Sequence, residues 1–138
     1  MISSSPEETY AIGKKIAAHL TPGTILCLDG DLGAGKTTLL KGLISTLVDI
    51  EEEKIQSPTF VLLNLYISST FPLCHFDLYR MNSPKEFQER GFLDYFDNHH
   101  VCLIEWSCNI ASLLPPHALH LRLTYQNALC REIAWGTR

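Results

Sequence analysis

Apolar and polar positions follow two rhythms along this chain, and the switches between them divide it into elements. Ile12, Ile16, Ala17 and Leu20 recur at helical spacing. Ser5-Pro6-Glu7-Glu8 precedes them as a capping box, with Ser5 as N-cap and proline at the first helical position. A helix is predicted from there to about Leu20, where Thr21-Pro22-Gly23 stops it. Thr24-Ile25-Leu26-Cys27-Leu28 is a short unbroken apolar run and predicts a buried strand. Leu39, Leu40, Leu43, Ile44 and Leu47 form a second helical stripe. The stretch Asp49 to Lys54, with Glu51-Glu52-Glu53 inside it, predicts a solvated loop or helix end.

The rhythm then shortens. Val61 to Ile67 predicts one strand, Ser68-Ser69-Thr70 a turn, and Pro72 to Asp77 the partner strand. Ser83-Pro84-Lys85-Glu86 repeats the capping box and opens a helix, and Phe92 to Phe96 predicts a short one. His99-His100 is a polar turn before Val101-Cys102-Leu103-Ile104, a buried strand ending at Glu105-Trp106. Asn109 to Leu114 predicts a helical turn or two before Pro115-Pro116, and two β segments follow, Ala118 to Tyr125 and Leu129 to Trp135. Helices alternating with strands predict an α/β, P-loop NTPase-like three-layer sandwich, its mixed sheet parallel at the centre with antiparallel strands around it.

Composition changes this picture little. With 138 residues, 46% of them hydrophobic, one domain with its own core is expected. A net charge of −4 argues against binding nucleic acid by bulk electrostatics, although a local basic patch or an RNA-holding partner stays open. The five cysteines are odd in number and lack a C-x-x-C pair, and Cys27, Cys74 and Cys102 sit in apolar runs. They predict a reducing, cytoplasmic compartment without disulfides. No signal peptide is recognisable, and no apolar run reaches the ~18 residues needed to span a membrane.

The chemistry enters at Gly30-Asp31-Leu32-Gly33-Ala34-Gly35-Lys36-Thr37-Thr38, which fits G-x-x-x-x-G-K-[ST], the P-loop pattern. A strand before it and a helix after it are the context that pattern requires. Glycines let backbone N–H groups from Asp31 to Thr38 turn towards phosphate oxygens, and the helix adds the positive end of its dipole. Lys36 is placed for the β- and γ-phosphates, and Thr37 for Mg²⁺. Asp77 and Glu105 each end an apolar strand, where an acid serves Mg²⁺ or an attacking water. The alternative for Asp77 is an ordinary turn aspartate. Trp106 is either core or a stacking or gating residue. Ser57-Pro58-Thr59-Phe60 stands where a nucleotide switch would stand, or is a plain turn into a strand. Tyr79 and Arg80 read equally well as a surface patch.

Together, G-D-L-G-A-G-K-T-T, S-P-T-F (Ser57–Phe60), H-F-D-L-Y-R (His75–Arg80) and I-E-W (Ile104–Trp106) closely resemble the bacterial TsaE family, in order and spacing. One departure follows the tryptophan, where the family often has Pro-Glu and this chain has Ser107-Cys108. The resemblance implies an ATPase with Mg²⁺, weak alone, that works with TsaB and TsaD. That complex places threonylcarbamoyl on adenosine 37 of tRNAs reading codons that begin with A, with tRNA held by the complex. It implies that Lys36 and Thr37 hold phosphates and metal, that Thr59 is a switch threonine, and that Asp77 and Glu105 serve Mg²⁺ or water. It also implies that Ser5 and its neighbours to Thr9, and the strand near Arg131, flank the adenine.

Two rivals remain at this level. A small P-loop kinase would need an arginine-rich lid, and Arg80, Arg90, Arg122, Arg131 and Arg138 are scattered. A non-catalytic adaptor, ordered by ATP, would use Glu105 for Mg²⁺ without activating water.

Overall fold

A computed structural model describes residues 1–68 and 70–136; Ser69, in the predicted turn, and Arg138 lie outside the described residues. Among the described residues seven strands form one sheet: β1 (Ile2–Ser3), β2 (Ile25–Asp29), β3 (Leu63–Tyr66), β4 (Leu73–Asp77), β5 (Val101–Glu105), β6 (Leu119–Tyr125) and β7 (Arg131–Gly136). Their spatial order is β1-β7-β6-β2-β5-β4-β3. The centre, β6-β2-β5-β4, is parallel, and β3, β7 and β1 pair antiparallel outside it. The architecture is the predicted mixed α/β sheet.

Two helices cover one face. In α1 (Pro6–Ala17) the Ser5 hydroxyl accepts the Glu8 N–H, and Glu8 in return accepts the Ser4 N–H. The helix ends at Ala17 rather than Leu20, and Leu20 is still buried past its end. In α2 (Lys36–Val48), Leu39, Leu40, Leu43 and Ile44 pack on Leu26, Leu28, Leu103 and Leu121 of the sheet. The two helices approach at paired glycines: a Cβ on Gly42 would run into the Tyr10 carbonyl, and one on Gly13 into that of Leu39.

The opposite face carries a shorter cover. It consists of α3 (Pro84–Glu89) and 3₁₀ turns at Phe92–Tyr95 and Ser107–Leu113, packed on Phe76, Cys74, Cys102 and Ile104. Phe87 and Phe92 pack on Phe76 with ring centres 5.4 Å apart.

Two expected strands need correction, and one strand was not anticipated. The strand predicted over Val61 to Ile67 is only Leu63–Tyr66, because Leu62 sits at φ 68° and takes the chain out of extended geometry. The last strand starts at Arg131, since Asn127 uses its side chain to fold the turn onto Leu129 and Cys130. And β1, two residues long with no pattern to announce it, is held by pairing with β7. All five cysteines are free thiols. Among the described residues no helix is long and apolar enough to cross a membrane.

Candidate functional site

The parallel strands β2, β4 and β5 run in register, so their carboxyl ends deliver Asp29, Asp77 and Glu105 to one edge of the sheet. Asp77 and Glu105 are direct cross-strand partners. From Asp29 the chain turns through residues 30–35 and enters α2. Gly33 and Gly35 hold φ at 79° and 99°, a left-handed geometry that side chains resist. Nothing lies within 4 Å of where a Cβ on Gly33 would stand.

A cavity of about 550 Å³ opens over this edge. Asp31, Leu32, Gly33, Gly35, Lys36, Thr37 and Thr38 line it from the glycine loop and the start of α2. Thr59, Asp77, Glu105 and Trp106 line it from the strand ends and the segment after α2, and Ser5 and Arg131 join them. Of the residues expected to hold nucleotide, Ala34 alone stays outside. Its side chain is buried in the core and its N–H donates to the Asp31 carbonyl at 3.1 Å. Arg131 is committed to the loop itself, donating to the Gly33 carbonyl at 3.2 Å while its guanidinium stacks on Tyr125.

The two acids are held differently. Asp77 has both oxygens engaged: one accepts the Ser57 and Thr59 hydroxyls at 2.9 and 3.0 Å, and the other accepts the Tyr79 N–H at 3.1 Å. Glu105 has one oxygen 2.9 Å from Nε2 of His75, and its second has no hydrogen bond among the described residues. His75 was not singled out by the sequence, yet alternation along β4 puts it on the same face as Asp77. Both Glu105 and His75 are buried, and Nδ1 of His75 has no hydrogen-bond partner among the described residues.

Lys36 does not project freely. Its ammonium lies 4.0 Å from the centre of the Trp106 ring and donates to the carbonyls of Gly30 and Asp31. Burial pushes this ammonium below its usual range, while Glu105, Asp31, Asp77 and Asp29 pull the other way. Trp106 reaches this position because its own backbone is left-handed, at φ 60°, a conformation uncommon for a bulky residue. Its other neighbour is Tyr79, ring centres 4.9 Å apart. A second cavity, about 900 Å³, lies beyond Trp106 and Gly30. There Asp29 is tied to Ser107 and His120.

The family model for the threonylcarbamoyl adenosine biosynthesis protein TsaE matches residues 3–133. The chain belongs to the TsaE family. It is 43% identical to the tRNA threonylcarbamoyladenosine biosynthesis protein TsaE of Bacillus subtilis, over 95% of this chain and 80% of that protein. The TsaE proteins of Rickettsia felis and Haemophilus influenzae are 42% and 36% identical, over 89% and 82% of this chain and 71% and 73% of theirs. Among solved structures, Bacillus subtilis YdiB superposes with a TM-score of 0.78 at 37% identity, covering 98% of this chain and 82% of that one. This TsaE-family chain therefore shares its fold with YdiB along nearly its whole length.

Proposed function

We propose that the chain binds ATP with Mg²⁺ in the 550 Å³ cavity and hydrolyses it. In this reading it works with TsaB-like and TsaD-like proteins in threonylcarbamoyl modification of adenosine 37 of tRNA. The role in threonylcarbamoyladenosine biosynthesis is what the named relatives carry. One observation carries the ATPase reading: Lys36, Thr37, Asp77 and Glu105 line a single cavity over an open glycine loop.

The residues fit the groups this needs. Among the described residues no cluster of three or more His, Cys, Asp or Glu could hold a metal alone. That suits Mg²⁺, which is commonly held by one or two side chains, phosphates and water. Thr37 and Glu105 supply the side chains, Glu105 being the acid with an uncommitted oxygen. Bound there, Mg²⁺ would neutralise charge developing on the phosphates. Lys36 adds a second positive charge once it leaves the Trp106 ring. Thr59, leaning on Asp77, is the hydroxyl able to turn inward, which makes its segment the switch. Ser5 borders the cavity from the start of α1, on the side assigned to adenine.

The test is single-turnover ATP hydrolysis by the purified chain, with and without both partner proteins. Slow turnover alone, accelerated by the partners and abolished by chelating Mg²⁺, is the expected result. No hydrolysis under any of these conditions would refute the enzyme reading.

A further inference from the structure

Two buried side-chain nitrogens lack a hydrogen-bond partner among the described residues, Nε2 of His120 and Nδ1 of His75. The second belongs to a ring that touches the cavity's uncommitted acid. Strand register explains the contact. On the parallel pair β4 and β5, His75 stands opposite Leu103 and Asp77 opposite Glu105, so His75 and Glu105 share one face of the sheet, a diagonal step apart. Their side chains are only 3% and 5% exposed, and Nε2 of the ring lies 2.9 Å from one Glu105 oxygen.

The unpartnered nitrogen fixes where the proton sits. A proton on Nδ1 alone would leave a buried donor unpaired and turn the Nε2 lone pair towards the carboxylate. A proton on Nε2 removes both costs, so His75 donates and Glu105 accepts. Among the described residues no other hydrogen bond or ion pair holds that carboxylate. Lys36 spends its ammonium on the Trp106 ring and on the Gly30 and Asp31 carbonyls. On the other flank of His75 its β3 partner is Asn64, whose amide donates to the Gln56 carbonyl at 2.9 Å.

We infer that His75 is a positioning residue for hydrolysis: its Nε2–H pins one oxygen of Glu105 and so presents the other to the metal or the water in the cavity. The inference rests on the ATPase reading above. A glutamate side chain turns about several single bonds, and anchoring one oxygen stops that rotation. Misplacing a group at a reacting centre by about 1 Å can cost on the order of a hundredfold in rate. The glycine-loop N–H groups and Lys36, which carry the phosphate contacts in this reading, do not depend on the ring. His75 therefore acts on turnover and leaves nucleotide affinity nearly alone.

The test has two arms. Long-range ¹H–¹⁵N NMR of the chain without nucleotide reads the His75 tautomer, its signals assigned by their loss in His75→Gln. A ring protonated at Nε2 is expected, and a ring protonated at Nδ1 alone would overturn the proposal. The second arm measures single-turnover hydrolysis with the TsaB-like and TsaD-like proteins, and calorimetric affinity for Mg²⁺ with a non-hydrolysable ATP analogue. Thermal midpoints are checked for every variant. His75→Leu should lose about tenfold to a hundredfold in rate, the range for removing an outer partner of a metal-site ligand. Its analogue affinity should stay within about tenfold of wild type. His75→Asn, whose amide stops short of Glu105, should lose as much and repeats the test with a polar side chain. His75→Gln, whose amide N–H reaches the place of Nε2, should recover most of the rate. In a Glu105→Gln background, His75→Leu should cost less than about threefold more, because the ring acts through that carboxylate. Wild-type turnover in folded His75→Leu and His75→Asn, or an equal loss in both Glu105 backgrounds, would overturn the positioning role and leave the ATPase reading intact. A wild type that hydrolyses no ATP under any of these conditions would refute the ATPase reading, and the role of His75 with it.

Discussion

Replacing Trp106 with alanine should tighten ATP binding. The Lys36 ammonium sits 4.0 Å from the indole centre, and the residue is only 6% exposed. Cation–π contacts contribute about 0.5–1 kcal/mol at exposed sites and about 2 kcal/mol when desolvated. Burial places this one near the upper figure. A γ-phosphate must draw Lys36 off the ring, so the contact opposes binding by that amount. At ~1.4 kcal/mol per tenfold, its removal should lower the Kd by up to about thirtyfold, with twofold as the floor. Trp106→Phe keeps a weaker ring face and should fall between. Calorimetric titration with Mg²⁺ and a non-hydrolysable analogue measures this directly, with the thermal midpoint checked first. An affinity unchanged or weakened in a folded Trp106→Ala chain would refute the reasoning, since the indole would then serve the bound state at least as well as the free one.

Three further outcomes follow from the geometry. Glu105→Gln should change ATP affinity by less than about tenfold while lowering partner-stimulated hydrolysis by about a hundredfold or more; equal turnover to wild type would remove Glu105 from the catalytic group. Amide hydrogen exchange at Ser57–Phe60 should slow when Mg²⁺ and the analogue are added, because Thr59 exchanges a hydrogen bond to Asp77 for ordering around phosphate; identical exchange in both states would make the segment a plain turn. Gly42→Ala gains about 1 kcal/mol of helix propensity but drives a methyl into the Tyr10 carbonyl, an overpacking cost of about 1–3 kcal/mol. Differential scanning calorimetry should show a midpoint lowered by a few degrees, and a raised one would show that α1 and α2 separate freely.

Much of the fold could be read in advance where local rules and tertiary structure agree. Ser5 and Ser83 cap the helices their sequence patterns announce, and the glycine loop joins the strand and helix its motif requires. The apolar runs ending in Asp77 and Glu105 became adjacent parallel strands with those acids side by side. What was not legible depends on contacts distant in sequence. Nothing in Ile2–Ser3 marks a strand, because its partner is β7, at the other end of the chain. The helical rhythm continued to Leu20, since a buried leucine serves the core whether or not the backbone is still helical. In the site, the residue types and the edge were readable, but their commitments were not. The sequence could not say that Asp77 has both oxygens occupied while Glu105 keeps one, that His75 is the partner of Glu105, or that Lys36 rests on Trp106.

The central claim is that this cavity holds the phosphates of ATP through the glycine loop and Lys36. Its most direct test is a calorimetric titration of Mg²⁺·ATP into wild type and Lys36→Ala, with thermal unfolding run on both to establish that each is folded. The account predicts one nucleotide bound per wild-type chain and a loss of about a hundredfold or more in the variant, as expected when a buried, charge-assisted phosphate contact is removed. A folded Lys36→Ala chain binding Mg²⁺·ATP as tightly as wild type, or a wild type binding none, would contradict it.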